Sequence, residues 1–164
     1  LKAYKTSAQR DIILKPIEPP QGIKGQALNK DVLDLKITGD VAYLDPPYNT
    51  RHYGANYHLL NTLCHYKTFE PKGVTGLPDY YKSPFCSKVK AAGAMKQLLN
   101  QLDYKHIFIS YNDEGIIPLE QMQSLCSETG QYSLIKEEYQ RFKADAKRKQ
   151  SQTSTVEYLH CISR

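Results

Sequence analysis

The pattern of apolar and polar residues predicts strands that alternate with helices. Residues 41–44 form an unbroken apolar run, which is typical of a parallel strand buried on both faces, and residues 106–110 form a second such strand. Between them, apolar residues at helical spacing predict one helix over 53–66 and another over 89–102. The packed stripe of the first helix is predicted to consist of Tyr53, Tyr57, Leu60 and Cys64.

The last third of the chain predicts a third helix and two closing strands. Pro118 suits the first turn of a helix, and Gly130 suits its end. Residues 132–139 and 157–162 are predicted strands, and the polar, basic stretch over 143–155 is predicted to be a hairpin loop. The order of elements predicts an α/β fold: a mostly parallel sheet covered on both sides, with an antiparallel edge strand pair.

The first forty residues predict less regular structure. Residues 10–17 suit a short strand, and the prolines that follow suit a turn. From Gly25 we expect a strand that runs into a turn and a brief helix, with Asn29 or Asp31 as its cap. Residues 1–24 therefore form a predicted connecting region ahead of a compact domain over 25–164.

Composition narrows the function classes only slightly. A length of 164 residues fits one domain, and a formal net charge of +5 weakly favours a polyanionic partner. No apolar run reaches membrane-spanning length and no signal peptide is recognisable, so we expect a cytoplasmic protein with no membrane partner. Four cysteines without ligand spacing predict buried, reduced thiols and no metal site: Cys64, Cys86, Cys126 and Cys161.

The candidate chemistry lies directly after the first predicted strand. Two prolines end that strand and hold the carboxylate of Asp45 on a stiff loop, at the sheet edge where α/β proteins bind ligands. A carboxylate and the carbonyl of Pro46 can each accept one N–H of an exocyclic amine and free its lone pair for attack. Tyr48 can stack on a base, worth roughly 1–3 kcal/mol. The candidate catalytic residues are Asp45, Pro46, Pro47 and Tyr48.

This region resembles a known family. Residues 41–51 with Tyr53 and residues 56–60 resemble the catalytic strand, loop and following helix of the Dam-like, alpha-group DNA adenine-N6 methyltransferases, including those of bacterial restriction-modification systems. Residues 83–88, 110–112 and 157–159 also fit the family. The resemblance implies the second half of a Rossmann-like sheet that uses S-adenosylmethionine to methylate adenine N6 in double-stranded DNA. It also implies a cognate restriction endonuclease as genetic partner.

The resemblance assigns cofactor residues as well. It places Asp45 near the methionine moiety of the cofactor, and Asp31 and Val32 at its adenine ring; a plain helix cap is the alternative for Asp31. No FxGxG loop occurs in the sequence. Because the family places that loop and a target-recognition segment upstream, the chain looks truncated at its amino-terminal side. Residues 25–164 would be the catalytic portion, and residues 1–24 the end of a target-recognition segment.

Two groups of residues are candidates for DNA contact. Asn49, Arg51 and Tyr53 follow the loop and suit the phosphates around an extruded nucleotide, although capping and packing the next helix is an equal alternative. Lys143 and Arg148 lie in the densest basic run, where a solvated loop is the alternative to phosphate contact. Two other functions stay open: a non-catalytic DNA-binding remnant and an RNA methyltransferase.

Overall fold

The computed structural model describes residues 15–18, 21–22, 24–140 and 154–164. Most of the strand predicted over 10–17 lies outside the described residues, as do Lys143 and Arg148. Residues 24–29 are exposed and belong to no regular element, so the strand predicted from Gly25 is wrong. A strand needs a hydrogen-bonded neighbour, and none of the described strands pairs with this segment.

Within the described ranges, four strands form one mixed sheet. They are β1 (Thr38–Leu44), β2 (Asp103–Asn112), β3 (Gln131–Gln140) and β4 (Ser154–Ser163), in the order β1-β2-β4-β3. β1 is parallel to β2, whereas β4 is antiparallel to both β2 and β3. The antiparallel pair at the edge is therefore confirmed. The expectation of a mostly parallel sheet is wrong for the described strands, because β4 returns beside β3 and inserts between it and β2.

Four α-helices accompany the sheet in the part of the chain that the structure describes. They are α1 (Tyr53–Asn56), α2 (His58–His65), α3 (Ala91–Gln101) and α4 (Leu119–Ser127). The second and third predicted helices are thus confirmed as α3 and α4. The first predicted helix is broken at Tyr57, whose φ of −109° and ψ of 17° leave the helical region. Among the described residues no helix is long and apolar enough to cross a membrane.

The core lies on one face of the sheet, beneath α3 and α4. We call this face of the sheet the covered face. Strand β2 contributes Ile107 and Ile109, both fully buried, and β4 contributes Ile162. The two helices supply the opposing layer: Ala91, Ala94, Met95, Leu98, Leu99, Met122 and Cys126.

The opposite face of the sheet carries apolar residues that no described helix covers. We call it the open face. In β1 only Ala42 is buried, whereas Val41 is 57% and Tyr43 is 64% exposed. Ile135 and Tyr139 of β3 are exposed on the same face. The prediction that β1 is buried on both faces is therefore wrong: β1 is an edge strand of the described sheet, and the described helices pack on one side of it only.

The predicted packed stripe of the first helix is also wrong. Neither α1 nor α2 has a buried residue, and all four stripe residues lie at the surface. Cys64 is consequently exposed and Cys161 only half-buried, while Cys86 and Cys126 are buried as expected. Helical spacing identified apolar neighbours correctly, but the described part of the chain supplies no layer against which they could pack.

Candidate active site

The candidate catalytic loop starts where β1 ends. Leu44 lies opposite Ile109 of β2, so the two parallel strands present their carboxyl ends at the same edge of the sheet. The backbone N–H of Ile116, in the segment after β2, donates a hydrogen bond of 2.8 Å to the carbonyl oxygen of Tyr48. The far end of the loop is therefore hydrogen-bonded to the segment that follows β2.

The carboxylate of Asp45 is available for a ligand. The residue is exposed, and within the described part of the chain its side chain makes no hydrogen bond or ion pair. Pro46 and Pro47 beside it are half-buried, and their rings restrict φ, so the backbone that carries the neighbouring carbonyl is stiff. The loop thus combines an unengaged anionic acceptor with a fixed carbonyl acceptor.

The loop separates two clefts. The smaller has a volume of about 370 Å³. Its lining includes Asp31, Val32, Asp45, Pro46 and Pro47. The larger, of about 830 Å³, runs over the open face and is lined by Tyr48 together with side chains from β1, β2, β3 and β4. Tyr43 lines both clefts. The four predicted catalytic residues therefore lie between two spaces, Asp45, Pro46 and Pro47 on one side and Tyr48 on the other.

Asp31 belongs to the smaller cleft and also caps a turn. Its Oδ1 accepts a hydrogen bond of 3.0 Å from the backbone N–H of Leu33, at the start of the single 3₁₀ turn Val32–Asp34. The hydroxyl of Tyr81 donates to its other oxygen, Oδ2. These hydrogen bonds, first that from Tyr81, lower the pKa of Asp31 below its usual value. Asp31 therefore acts as a cap, and the cap leaves acceptor capacity on both oxygens.

Apolar side chains form much of the rest of this cleft. Leu98 of α3 and Phe85 are almost fully buried, and Val32 is half-buried beside them. The turn that carries Val32 is held from behind by Gln101, whose Nε2 donates a hydrogen bond of 2.8 Å to the Val32 carbonyl. An apolar wall with a few convergent polar groups is typical of a small-molecule site of this size.

The residues after Tyr48 form local structure. Asn49 Oδ1 accepts a hydrogen bond of 2.9 Å from the backbone N–H of Arg51, which is an Asx turn. Tyr53 stacks on Tyr57, with ring centroids 5.7 Å apart and planes 14° apart. All of them line a narrow cleft of about 130 Å³ beside Tyr48. Local packing accounts for Asn49 and Tyr53, while the side chain of Arg51 is exposed.

The clefts also contain side chains to which the sequence analysis assigned no site role, among them Tyr43, Asn112 and Tyr81. Asn112 is buried at the carboxyl end of β2, the same edge as Asp45, and its Oδ1 accepts a hydrogen bond of 3.2 Å from the backbone of Glu114. A polar residue at the carboxyl end of a second buried strand is a signal that could have identified it. Tyr81 lies in a loop rich in Tyr and Pro, where spacing carries no such signal.

A family model matches residues 2–125, and its description is D12 class N6 adenine-specific DNA methyltransferase. The chain belongs to this family. It is 43% identical, over its whole length, to the type II methyltransferase M.NlaIII of Neisseria lactamica, of which it covers 51%. It is 36% identical over 88% of its length to the type II methyltransferase M.CviAII of Paramecium bursaria Chlorella virus 1, of which it covers 44%.

A third relative, the type II methyltransferase M.FokI of Planomicrobium okeanokoites, is 36% identical over 83% of this chain and is covered to 22%. The chain thus spans about half the length, or less, of the curated relatives that it matches. No solved structure matches the chain significantly. Family membership is shown, and the loop at residues 45–48 lies within the matched region.

Proposed function

We propose that this chain is the catalytic portion of an enzyme that transfers a methyl group from S-adenosylmethionine to the N6 amine of adenine in double-stranded DNA. The observation that carries the proposal is the unengaged carboxylate of Asp45, on a stiff proline loop between two clefts, in a chain of this family. We propose further that the chain forms the second half of a Rossmann-like methyltransferase sheet, with 25–164 as the catalytic portion.

The proposed chemistry needs two acceptors and no general base. The lone pair of adenine's amine is conjugated with the ring, so the amine is a poor nucleophile. Asp45 and the Pro46 carbonyl would each accept one N–H and draw the nitrogen towards a tetrahedral geometry. Because both acceptors are in place before the base arrives, little reorganisation opposes the reaction.

The larger cleft is the proposed site for the extruded adenine. Tyr48 and Tyr43 line it, and either ring offers an aromatic face for the base. Stacking of about 1–3 kcal/mol offsets much of the few kcal/mol that unstacking and unpairing the nucleotide costs. Asn112, at the adjacent strand end, supplies a buried amide within the same cleft, and amides recognise adenine edges by donating and accepting together.

The smaller cleft is the proposed cofactor site. Asp31 and Val32 would hold the adenine end of S-adenosylmethionine, and Asp45 would lie near the methionine end, in keeping with the cleft's apolar wall and its two carboxylates. When bound, the cofactor would supply an electrophilic methyl group, whose bond to sulfur would break as the bond to N6 forms, with the surplus proton of the then cationic nitrogen lost to solvent. The residues of this chain would orient the acceptor amine towards it, and the loop that separates the clefts is where the two reactants would meet.

Contacts to duplex DNA are proposed for Asn49, Arg51 and Tyr53, which lie beside Tyr48 on the same side of the loop. Lys143 and Arg148, outside the described residues, remain proposed phosphate contacts. The relatives are named as type II methyltransferases, and on that basis we propose a cytoplasmic role in a restriction-modification system beside a cognate endonuclease. Residues 1–24 are proposed to connect to a target-recognition segment.

The test is methyl transfer from labelled S-adenosylmethionine to duplex DNA, with RNA as a parallel acceptor. It uses this chain and a chimera in which the chain replaces the matching part of the Neisseria lactamica relative. Asp45→Asn replaces an acceptor by an amide that can donate, and we expect kcat to fall about 10²- to 10³-fold, as for the loss of one preorganised transition-state contact.

The matched control is Asp40→Asn, which makes the same change at an exposed carboxylate 2.6 Å from the Nζ of Lys105. It should leave kcat unchanged. Transfer to RNA in preference to DNA would contradict the proposed acceptor. Cofactor-independent DNA binding without methyl transfer, by both the chain and the chimera, would support the non-catalytic remnant instead.

A further inference from the structure

The carboxylate of Asp31 is held at both oxygens. The Leu33 backbone N–H donates to Oδ1 at 3.0 Å, and the Tyr81 hydroxyl donates to Oδ2. Asp31 and Tyr81 are fifty positions apart in sequence, yet both line the smaller cleft together with Asp45. The Tyr81 contact is therefore tertiary, and it reaches a group that faces the proposed cofactor site.

We propose that Tyr81 is a positioning residue for the cofactor, which sets the orientation of the Asp31 carboxylate that receives the adenine end of S-adenosylmethionine. The inference rests on the proposed function of the smaller cleft. Each carboxylate oxygen accepts about two hydrogen bonds, so one donor on each leaves room for an N–H of the ligand. Two donors on different oxygens also fix the plane of the carboxylate, which a backbone cap at one oxygen alone does not.

Tyr80, the residue before Tyr81, packs against residues that follow the catalytic loop. The ring of Tyr80 lies 5.7 Å from that of His52, and its Cβ is so close to Gly54 that a Cβ on Gly54 would lie 2.5 Å away. Gly54 belongs to α1, which follows the catalytic loop. The adjacent tyrosines thus connect the Asp31 turn on the cofactor side to the helix on the DNA side of the loop.

Charge supports the same role. The hydrogen bond from Tyr81 is the main cause that lowers the pKa of Asp31, and it raises the pKa of Tyr81 correspondingly. At neutral pH the pair therefore consists of an ionised acceptor and a protonated donor. A neutral, protonated Asp31 would offer an O–H where the adenine amine also offers only donors, so an ionised carboxylate is the form that suits this ligand.

The experiment is Tyr81→Phe, which removes the hydroxyl and keeps the ring. S-adenosylmethionine is titrated into this chain and into the chimera described above, and the tighter binder is used for the variants. We expect the Kd for the cofactor to rise about three- to tenfold, the usual size for one hydrogen bond of this kind. In the methylation assay the cofactor KM should rise similarly, with kcat at saturating cofactor and the DNA KM unchanged.

The matched control is Tyr80→Phe, since no hydrogen bond of the Tyr80 hydroxyl occurs among the described residues and the ring contacts persist. It should leave the cofactor Kd unchanged. A second readout uses a cofactor analogue with hydrogen in place of the adenine amine. Because Tyr81 acts through Asp31 on that amine, Tyr81→Phe should not weaken binding of the analogue further, whereas a purely structural defect would weaken both ligands equally.

The outcomes separate this inference from the proposed function. If neither the chain nor the chimera binds S-adenosylmethionine, the proposed function fails and the inference with it. If the cofactor binds and Tyr81→Phe binds it as tightly as the unsubstituted protein, the inference alone is overturned. Equal weakening for the cofactor and the analogue also overturns it, because Tyr81 would then act through packing rather than through Asp31.

Discussion

The two faces of the sheet carry similar side chains in very different surroundings. On the covered face Ile109 is fully buried beneath the helices, while on the open face Ile135 is 57% exposed. Both are isoleucines in strands of one sheet. The difference shows that hydrophobic pattern marks which residues can be buried, whereas burial itself depends on whether another layer of chain reaches that face.

The two faces also differ in what they contribute, one to stability and the other to a proposed binding site. The covered face holds large side chains without solvent contact, each worth about 1.5–3 kcal/mol on burial, including Met95, Leu99 and Met122. The larger cleft, with Tyr43 and Tyr48, lies on the open face. The covered face therefore carries the folding free energy of the described domain, and the open face carries a proposed binding surface.

The largest expected effect on stability comes from making the same substitution on each face of the sheet. Ile109→Ala should lower the free energy of unfolding by about 2–5 kcal/mol, because it removes buried methylenes and leaves a cavity beneath the helices. Ile135→Ala should lower it by less than about 1 kcal/mol, since most of that side chain already contacts water. Urea denaturation followed by circular dichroism measures both.

Equal losses for the two variants would contradict the division of the sheet into a covered and an open face. A large loss at Ile135 alone would mean that some other layer of chain packs on that face in solution. The slopes of the two denaturation curves should agree, because neither substitution alters how much surface unfolding exposes.

A second, smaller difference between the faces is expected in the pH dependence of stability, because the covered face contains a buried histidine. His160 is fully buried, with its Nδ1 2.9 Å from the hydroxyl of Tyr132 and with the Tyr158 ring at its edge. Burial lowers its pKa to about 4 from its ordinary value of 6.5. The unfolded chain therefore binds more protons than the folded chain between these two values, and stability falls as the pH decreases through that window.

For this one group the loss should reach about 2 kcal/mol at a pH near 5. His160→Leu removes the titration, so the difference in unfolding free energy between the variant and the unsubstituted chain should change by that amount from neutral pH to pH near 5. Urea titrations at each pH provide the values. A pH-independent difference would show that His160 is not held neutral in the folded protein.

The sequence predicted the elements of the covered face better than their surroundings. Local signals predicted strands β2 to β4 and helices α3 and α4. These signals are apolar runs, apolar residues at helical spacing, and the helix-start and helix-end residues Pro118 and Gly130. The exposure of β1 on the open face was not predictable, since an apolar run has the same sequence whether or not a neighbour covers it. Sheet order likewise depends on which strands meet, and no local signal places β4 between β2 and β3.

The candidate site shows the same limit. The loop at residues 45–48 was found because two prolines after an apolar run are a local signal with a chemical meaning. The contact between Tyr81 and Asp31 joins residues fifty positions apart, through a loop whose path no periodicity determines. Residues whose role depends on their neighbours in the chain can be identified from the sequence, whereas those whose role depends on a tertiary contact cannot.

The smallest predicted effect concerns α3, one of the two helices that pack on the covered face. Gly93 is exposed in this helix, and a Cβ built on it would meet no atom within 4 Å. Gly93→Ala should therefore raise the free energy of unfolding by about 0.5–1 kcal/mol, because alanine favours the helix and restricts the unfolded chain. Thermal denaturation should show a small rise in Tm.

The control for this effect is Gly25→Ala, which also has open space around it but lies outside any regular element. Alanine restricts the unfolded chain at both positions, but only at Gly93 does it also favour a helix, so the gain at Gly25 should be smaller. A loss of stability at Gly93 would mean that the outer surface of α3 is in contact with another part of the chain, and the helix would then be a buried layer rather than the outer cover of the sheet.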